Sequence, residues 1–197
     1  MSEFWNERFA AEEYAYGTEP NMFFRQELNK LIAGTILLPG EGEGRNAVFA
    51  AQNKWQVTAF DTSTEGKKKA EQLATARQVK IEYQLDSYDT IRLEPEAFDC
   101  VALIFTHMPL PQRQGFIQRL KAALKAGGTV ILEGFSKSQI HNNSGGPRDI
   151  DLLFSKEELQ ADFAGFANVN ISEADVELDE GPFHKGKAHV IRLVAVK

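Results

Sequence analysis

Thr35-Ile36-Leu37-Leu38-Pro39-Gly40-Glu41-Gly42-Glu43-Gly44-Arg45-Asn46-Ala47 decides how this chain is read. A short β-rich apolar run enters a loop with glycines at alternate positions, and Arg45 through Gln52 then has helical composition. Glycines spaced this way let the backbone come close to a ligand at a strand-to-helix turn. Open α/β sheets bind their ligands at the carboxyl ends of strands, where this loop would lie.

The same alternation of short strands and amphipathic helices continues outward. Gln56-Val57-Thr58-Ala59-Phe60 reads as a second strand and ends at Asp61, 17 residues past Gly44. Glu65 to Gln78 is helical in composition, and Val79 to Gln84 is a third strand ending near Asp86. Phe98 to Phe105 is apolar nearly throughout, as in a central strand covered on both faces. Pro109 and Pro111 break the chain after it, Gln112 to Lys125 is the next helix, Gly127-Gly128 ends that helix, and Thr129 to Leu132 is the fifth strand. Ser136 to Asp151 is too polar for core. Ser155 and Glu158 make a capping-box pattern for a helix through about Phe166. Val169 to Leu178 and Ala188 to Val196 flank turn residues and pair as an antiparallel edge hairpin. The expected fold is therefore α/β: a Rossmann-like, doubly wound, mostly parallel seven-stranded sheet with helices on both faces and a C-terminal antiparallel hairpin. Residues 1–197 read as one domain, with 1–34 a helical leader or lid and 35–197 the sheet core.

Charge narrows the partners. Against 28 acidic residues there are 22 Lys and Arg, a net charge of −6. Nucleic-acid faces need clustered basic residues, so no nucleic acid is expected, and Lys67-Lys68-Lys69 reads as a solvated helix face. The single cysteine, Cys100, sits in the fourth strand and reads as inert core. His107, His141, His184 and His189 lack metal-ligand spacing, so no metal is expected. The first residues resemble no signal peptide, and no apolar run reaches the roughly 20 residues that span a bilayer. The expected setting is cytoplasmic, without membrane association, as monomer or homodimer.

Which ligand would the loop take? The dinucleotide pattern Gly-x-Gly-x-x-Gly/Ala fails, because Arg45 stands at the sixth position from Gly40. No Walker phosphate loop occurs. Glu41 and Glu43 would oppose a pyrophosphate at a helix N-terminus but not a cation. S-adenosylmethionine has a ribose and an adenine, an ammonium and a sulfonium, and no phosphate. Asp61 is placed to accept ribose hydroxyls and Asp86 to reach an adenine edge. In the plainer reading the glycines make a tight turn and Asp61 caps a helix.

Gly40-x-Gly42-x-Gly44, Asp61, Asp86, the strand opening at Phe98-Asp99 and ending Phe105-Thr106-His107-Met108-Pro109, and Gly127-Gly128 together resemble the class I S-adenosylmethionine-dependent methyltransferases over nearly the whole chain. Trp5-x-x-Arg8-Phe9, Tyr16-Gly17-x-x-Pro20-Asn21, Gly44-Arg45-Asn46-Ala47 and Gly145-Gly146-Pro147 resemble the tellurite-resistance and thiopurine methyltransferase branch. The class usually has an acidic residue two positions before the first glycine; here Leu38 stands there, and Glu41 is the candidate substitute.

The resemblance implies that Gly40, Glu41 and Gly42 line the methionine portion of the cofactor. Asp61 would bind the ribose with Thr62 beside the adenine, and Asp86 and Ser87 would reach its other edge. Phe105 and Thr106 would floor the pocket, with Trp5 and Tyr16 closing it. The implied activity is methyl transfer to a small-molecule acceptor, with a sulfur-type or metalloid acceptor suggested by the branch; the alternative is a non-catalytic S-adenosylmethionine-binding protein of this fold. His107 is the first candidate for a general base, against a packed core histidine. His184 is a second, though a surface turn residue is its plainer reading. His141, Arg148 and His184 are candidate acceptor contacts.

Overall fold

The structure, a computed structural model, describes residues 2–197. Its centre is one seven-stranded sheet of β1 (Thr35–Pro39), β2 (Gln56–Asp61), β3 (Glu82–Leu85), β4 (Phe98–Ile104), β5 (Leu124–Phe135), β6 (Asn168–Asp179) and β7 (Lys185–Val196). The strand order is β3-β2-β1-β4-β5-β7-β6, parallel from β3 through β5, with β7 antiparallel to both β5 and β6. This is the expected doubly wound sheet with its C-terminal hairpin. The order in which strands are added reverses between the parallel neighbours β1 and β4, where such sheets open a crevice beyond the strand ends.

Side-chain alternation assigns the two faces. Leu37, Val101, Leu103, Val130 and Leu132 point to one core with α5 (Leu110–Ala123) and α6 (Lys156–Asp162). Ile36, Leu38, Ala59, Cys100 and Ala102 point to the other, with α2 (Met22–Leu28), α3 (Arg45–Gln52) and Ala70 of α4 (Thr64–Ala76). Leu38 is therefore core by strand parity, fully buried, and no carboxylate reaches the loop from that position. Cys100 is also buried, which pushes its thiol pKa up. The leader holds α1 (Ser2–Phe9) and α2, and among the described residues no helix is long and apolar enough to cross a membrane.

Capping residues fix the helix starts. Asn21, Ser63 and Ser155 accept from the backbone N–H groups of Phe24, Gly66 and Glu158 at 2.9, 3.0 and 3.2 Å. The Ser155–Glu158 signal was thus legible, although α6 ends at Asp162, short of Phe166.

Several boundaries differ from expectation for identifiable reasons. Gly127 and Gly128 do not end a helix; they lie inside β5, where the pairing jumps from Phe98↔Leu124 to Cys100↔Thr129 and the extra residues form a bulge. Proline suits the first helical turn, where no intrahelical N–H is required. Pro109 is accordingly the N-cap of α5, and Pro111 lies within its first turn. β3 starts at Glu82 rather than Val79. Lys69 leaves the solvated basic run: it is buried between α4 and the leader, whereas Lys67 and Lys68 stay on the surface beside Glu71 and Glu65.

Candidate functional site

The loop after β1 closes as a compact turn at the crevice. Gly44, at φ +87°, is the N-cap of α3, and a Cβ there would lie 2.5 Å from that of Ala70, so only glycine lets α3 and α4 approach this closely. The cap is completed by Glu41, whose Oε1 accepts from the Ala47 N–H at 2.7 Å. Enclosure raises the Glu41 pKa to about 7, against the opposing pull of the Ala47 bond and of Arg45. Glu43 points away from the crevice, accepting from the Ala15 N–H and from Lys69 Nζ, both at 2.8 Å.

Asp61 ends β2 beside this loop. One carboxylate oxygen accepts from the Gly42 N–H at 3.1 Å and the other from the Ser63 N–H at 2.9 Å. Burial raises its pKa against these bonds and one from the Thr62 N–H. Neither Glu41 nor Asp61 has a cationic ion-pair partner among the described residues. Each Asp61 oxygen retains acceptor capacity. Asp86 follows β3 and accepts from the Ser87 N–H at 2.8 Å and from Thr90 Oγ1, while Ser87 Oγ lies 2.8 Å from the same Thr90 hydroxyl. Asp86 and Ser87 thereby form one turn next to the Asp61 strand end; the Asp86 N–H donates to the Asp61 carbonyl at 3.0 Å.

Aromatic side chains cover the loop, and sequence reading missed several of them. Phe9 lies on Gly42 and Gly66, and Trp5 stacks on Phe9 at 5.5 Å between centroids. Tyr88 brings its hydroxyl so close to Gly40 that a Cβ there would be 2.0 Å away, with Thr106 Cγ2 at 3.1 Å from the same point. Tyr83 donates to the Gly42 carbonyl at 2.6 Å. Asn6 of α1 accepts from Ser63 Oγ at 2.7 Å, tying the leader to the start of α4. The only sequence signal for Tyr83 and Tyr88 is their position within and just after the third strand, which does not distinguish lining from packing.

At the ends of β4 and β5 a second aromatic group forms. Phe105 adopts φ +54°, a conformation side chains other than glycine rarely take, and its ring lies 4.7 Å from Phe135 and 4.5 Å from His184. His184 is buried, 4.4 Å from the Tyr16 ring, which corrects its reading as a surface turn residue. The burial is non-local, because the leader at Ala15–Gly17 and the hairpin turn at Gly181 close over each other. Arg45, besides starting α3, donates to the Tyr16 carbonyl at 3.1 Å and pairs with Glu180 at 2.9 Å.

His107 has a different role from the base proposed for it. The Phe135 N–H donates to its Nε2 at 3.1 Å, so Nδ1 carries the proton and donates to the Leu152 carbonyl at 2.9 Å. The ring is stacked against Phe135 and Phe154, and burial lowers its pKa to about 4. With both nitrogens bonded, it is a packing residue in this structure. His141 and Arg148 lie in the exposed turn after β5, where Arg148 bonds the Asn142 carbonyl and Asn143 Oδ1, both at 2.8 Å. The structure does not bring these two into the aromatic group.

Residues 36–128 match a family model described as a methyltransferase domain. No curated protein is similar in sequence. A protein solved in work on the conversion of a disulfide bond into a thioacetal group during echinomycin biosynthesis superposes with a TM-score of 0.81 at 16% identity, over 100% of this chain and 91% of its own. TehB from Haemophilus influenzae gives 0.70 at 15% identity over 100% and 66%, and the N-methyltransferase NodS from Bradyrhizobium japonicum WM9 gives 0.69 at 13% over 99% and 97%. At these identities the likeness is one of fold.

Proposed function

We propose that this chain transfers a methyl group from S-adenosylmethionine to a small-molecule acceptor. One observation carries the reading: Glu41 on the glycine loop and Asp61 beside it, two enclosed carboxylates at the switch point, are held by backbone N–H groups and have no ion-pair contact among the described residues. An ammonium beside Glu41 and ribose hydroxyls on Asp61 would meet that deficit, so the residues fit this cofactor. A pyrophosphate would add negative charge beside both. The methyltransferase-domain match over residues 36–128 supports the same reading.

Gly40, Glu41 and Gly42 would hold the methionine portion, Asp61 and Thr62 the ribose side, and Asp86 and Ser87 the adenine edge. Phe105 and Thr106 would form the floor, with Trp5 and Tyr16 closing the site from the leader. When bound, the cofactor supplies the reactive methyl on a sulfonium; the protein's residues then align the acceptor and exclude water. The wall of Tyr16, Phe105, Phe135 and His184 suits an apolar, soft acceptor, of sulfur or metalloid type. The net charge of −6 favours a small acceptor over nucleic acid, and we infer a cytoplasmic setting.

Calorimetric titration with S-adenosylmethionine, S-adenosylhomocysteine and NADH tests the reading. Binding of the first two alone is expected. Asp61→Ala is expected to lower that affinity by at least about tenfold, the loss of one well-placed hydrogen-bonding group, while circular dichroism stays unchanged. Unaltered affinity in this variant would remove Asp61 from the site. Binding without methylation of any thiol, heteroaromatic or tellurite acceptor would favour a non-catalytic binder.

A further inference from the structure

At the tip of the β6–β7 hairpin, His184 turns inward and places Nδ1 3.3 Å from Oε2 of Glu180. A carboxylate only accepts, so the neutral imidazole carries its proton on Nδ1 and its lone pair on Nε2. Glu180 is fixed by Arg45 Nη2 at 2.9 Å and Asn21 Nδ2 at 3.0 Å. Burial alone would raise the Glu180 pKa, but the His184 bond and Arg45 bring it down to about 2, so it stays ionised. Nε2 makes no hydrogen bond among the described residues, and it faces Gly145, where a Cβ would stand 3.3 Å from it. His107, the other histidine here, has no free nitrogen.

The surroundings also select the substrate. Phe105 links the His184 ring to Thr106, which lies against Gly40 of the cofactor loop. Both nearby cations are engaged: Arg45 with Glu180 and the Tyr16 carbonyl, Arg8 over the Phe183 ring at 3.9 Å and on the Tyr16 hydroxyl at 3.3 Å. An anionic acceptor would find no free counter-charge among these groups.

We infer that His184 is the base that takes the proton of a neutral X–H acceptor, an apolar thiol in particular, with Glu180 as the residue that positions it. This rests on the methyl-transfer reading above. The acceptor sulfur forms a bond to the methyl carbon with its lone pair, and the old carbon–sulfur pair returns to the sulfonium sulfur. The acceptor S–H proton passes to Nε2 and then to water, so one sulfonium and one thiol give two thioethers and a proton. The groups facing His184 are Glu180, Arg45, Arg8, Tyr16 and His107; burial lowers its pKa first, with Arg45 and Arg8 adding to this and Glu180 opposing. The ring is thus in its proton-accepting form at neutral pH.

The probes are benzyl mercaptan, which is mostly protonated at pH 7.5, and thiophenol, which is mostly ionised. In His184→Asn, kcat on benzyl mercaptan is expected to fall about 100-fold, within the range for loss of a general base, with a much smaller loss on thiophenol. Glu180→Gln should lower kcat on benzyl mercaptan without raising the KM for either thiol. A second readout needs no turnover: ¹⁵N NMR of the imidazoles should find the His184 proton on Nδ1 in the unmodified protein and redistributed in Glu180→Gln. Equal losses on both thiols, or a proton on Nε2, would overturn the assignment. Cofactor binding with no methylation of either thiol would overturn the substrate class, and absence of cofactor binding would instead overturn the reading on which it rests.

Discussion

With the cofactor ammonium beside Glu41, as proposed, this residue would couple the glycine loop to pH. Its folded pKa of about 7 lies above the ordinary carboxylate value because it is enclosed. A bound ammonium favours the ionised form, so binding must release the proton that Glu41 holds at lower pH. S-adenosylmethionine affinity is expected to rise by up to about tenfold per unit below pH 7 and to level off above it. Glu41→Gln should flatten this profile in calorimetry across pH 5.5–8.5. The stability of the free protein moves oppositely. A raised folded pKa contributes stability that is complete below the unfolded value and is lost as pH rises through 7, so the Gln variant should lose less stability than the parent on going from pH 5 to 8.

At the scale of elements, α4 carries a buried charge that anchors the leader. Lys69 Nζ donates to the Glu13 carbonyl at 2.7 Å and to Glu43 at 2.8 Å, while Glu43 also accepts from the Ala15 N–H. Removing one partner of a buried pair leaves the other charge uncompensated, so Lys69→Met should destabilise by about 3–5 kcal/mol in urea unfolding. Lys69→Met combined with Glu43→Gln should recover much of that, which a double-mutant cycle measures. This pair also shows where sequence reading stops. The strands, the glycine turn and the carboxylates at strand ends were legible because they follow from local periodicity and turn chemistry. That Lys69 is buried while Lys67 and Lys68 are not depends on a leader more than 50 residues away, a contact without local signature. His184 was misread as exposed for the same reason, and His107 was credited with a nitrogen that the Phe135 and Leu152 backbone groups already use.

For the whole molecule, α1 covers the glycine loop through Phe9 while Trp5 stacks on Phe9. A cofactor seated on Gly42 must shift that pair, so its binding should change Trp5 fluorescence by tens of per cent. Trp55 is buried with Ile36 and Val57 just before β2, at the other end of the strands from the glycine loop, and should not respond. Trp5→Phe is therefore expected to abolish the signal and Trp55→Phe to retain it.

The strand order has a consequence for synthesis. β6 pairs only with β7, and β7 also covers the open edge of β5. A ribosome makes β6 before its only neighbour exists, so residues 168–179 emerge with no edge to join. The parallel half of the sheet can assemble earlier, but β5 keeps an uncovered hydrogen-bonding edge until residues 185–196 arrive. The interval in which this chain is exposed to aggregation or chaperone capture thus ends when its last strand inserts between two that were made before it.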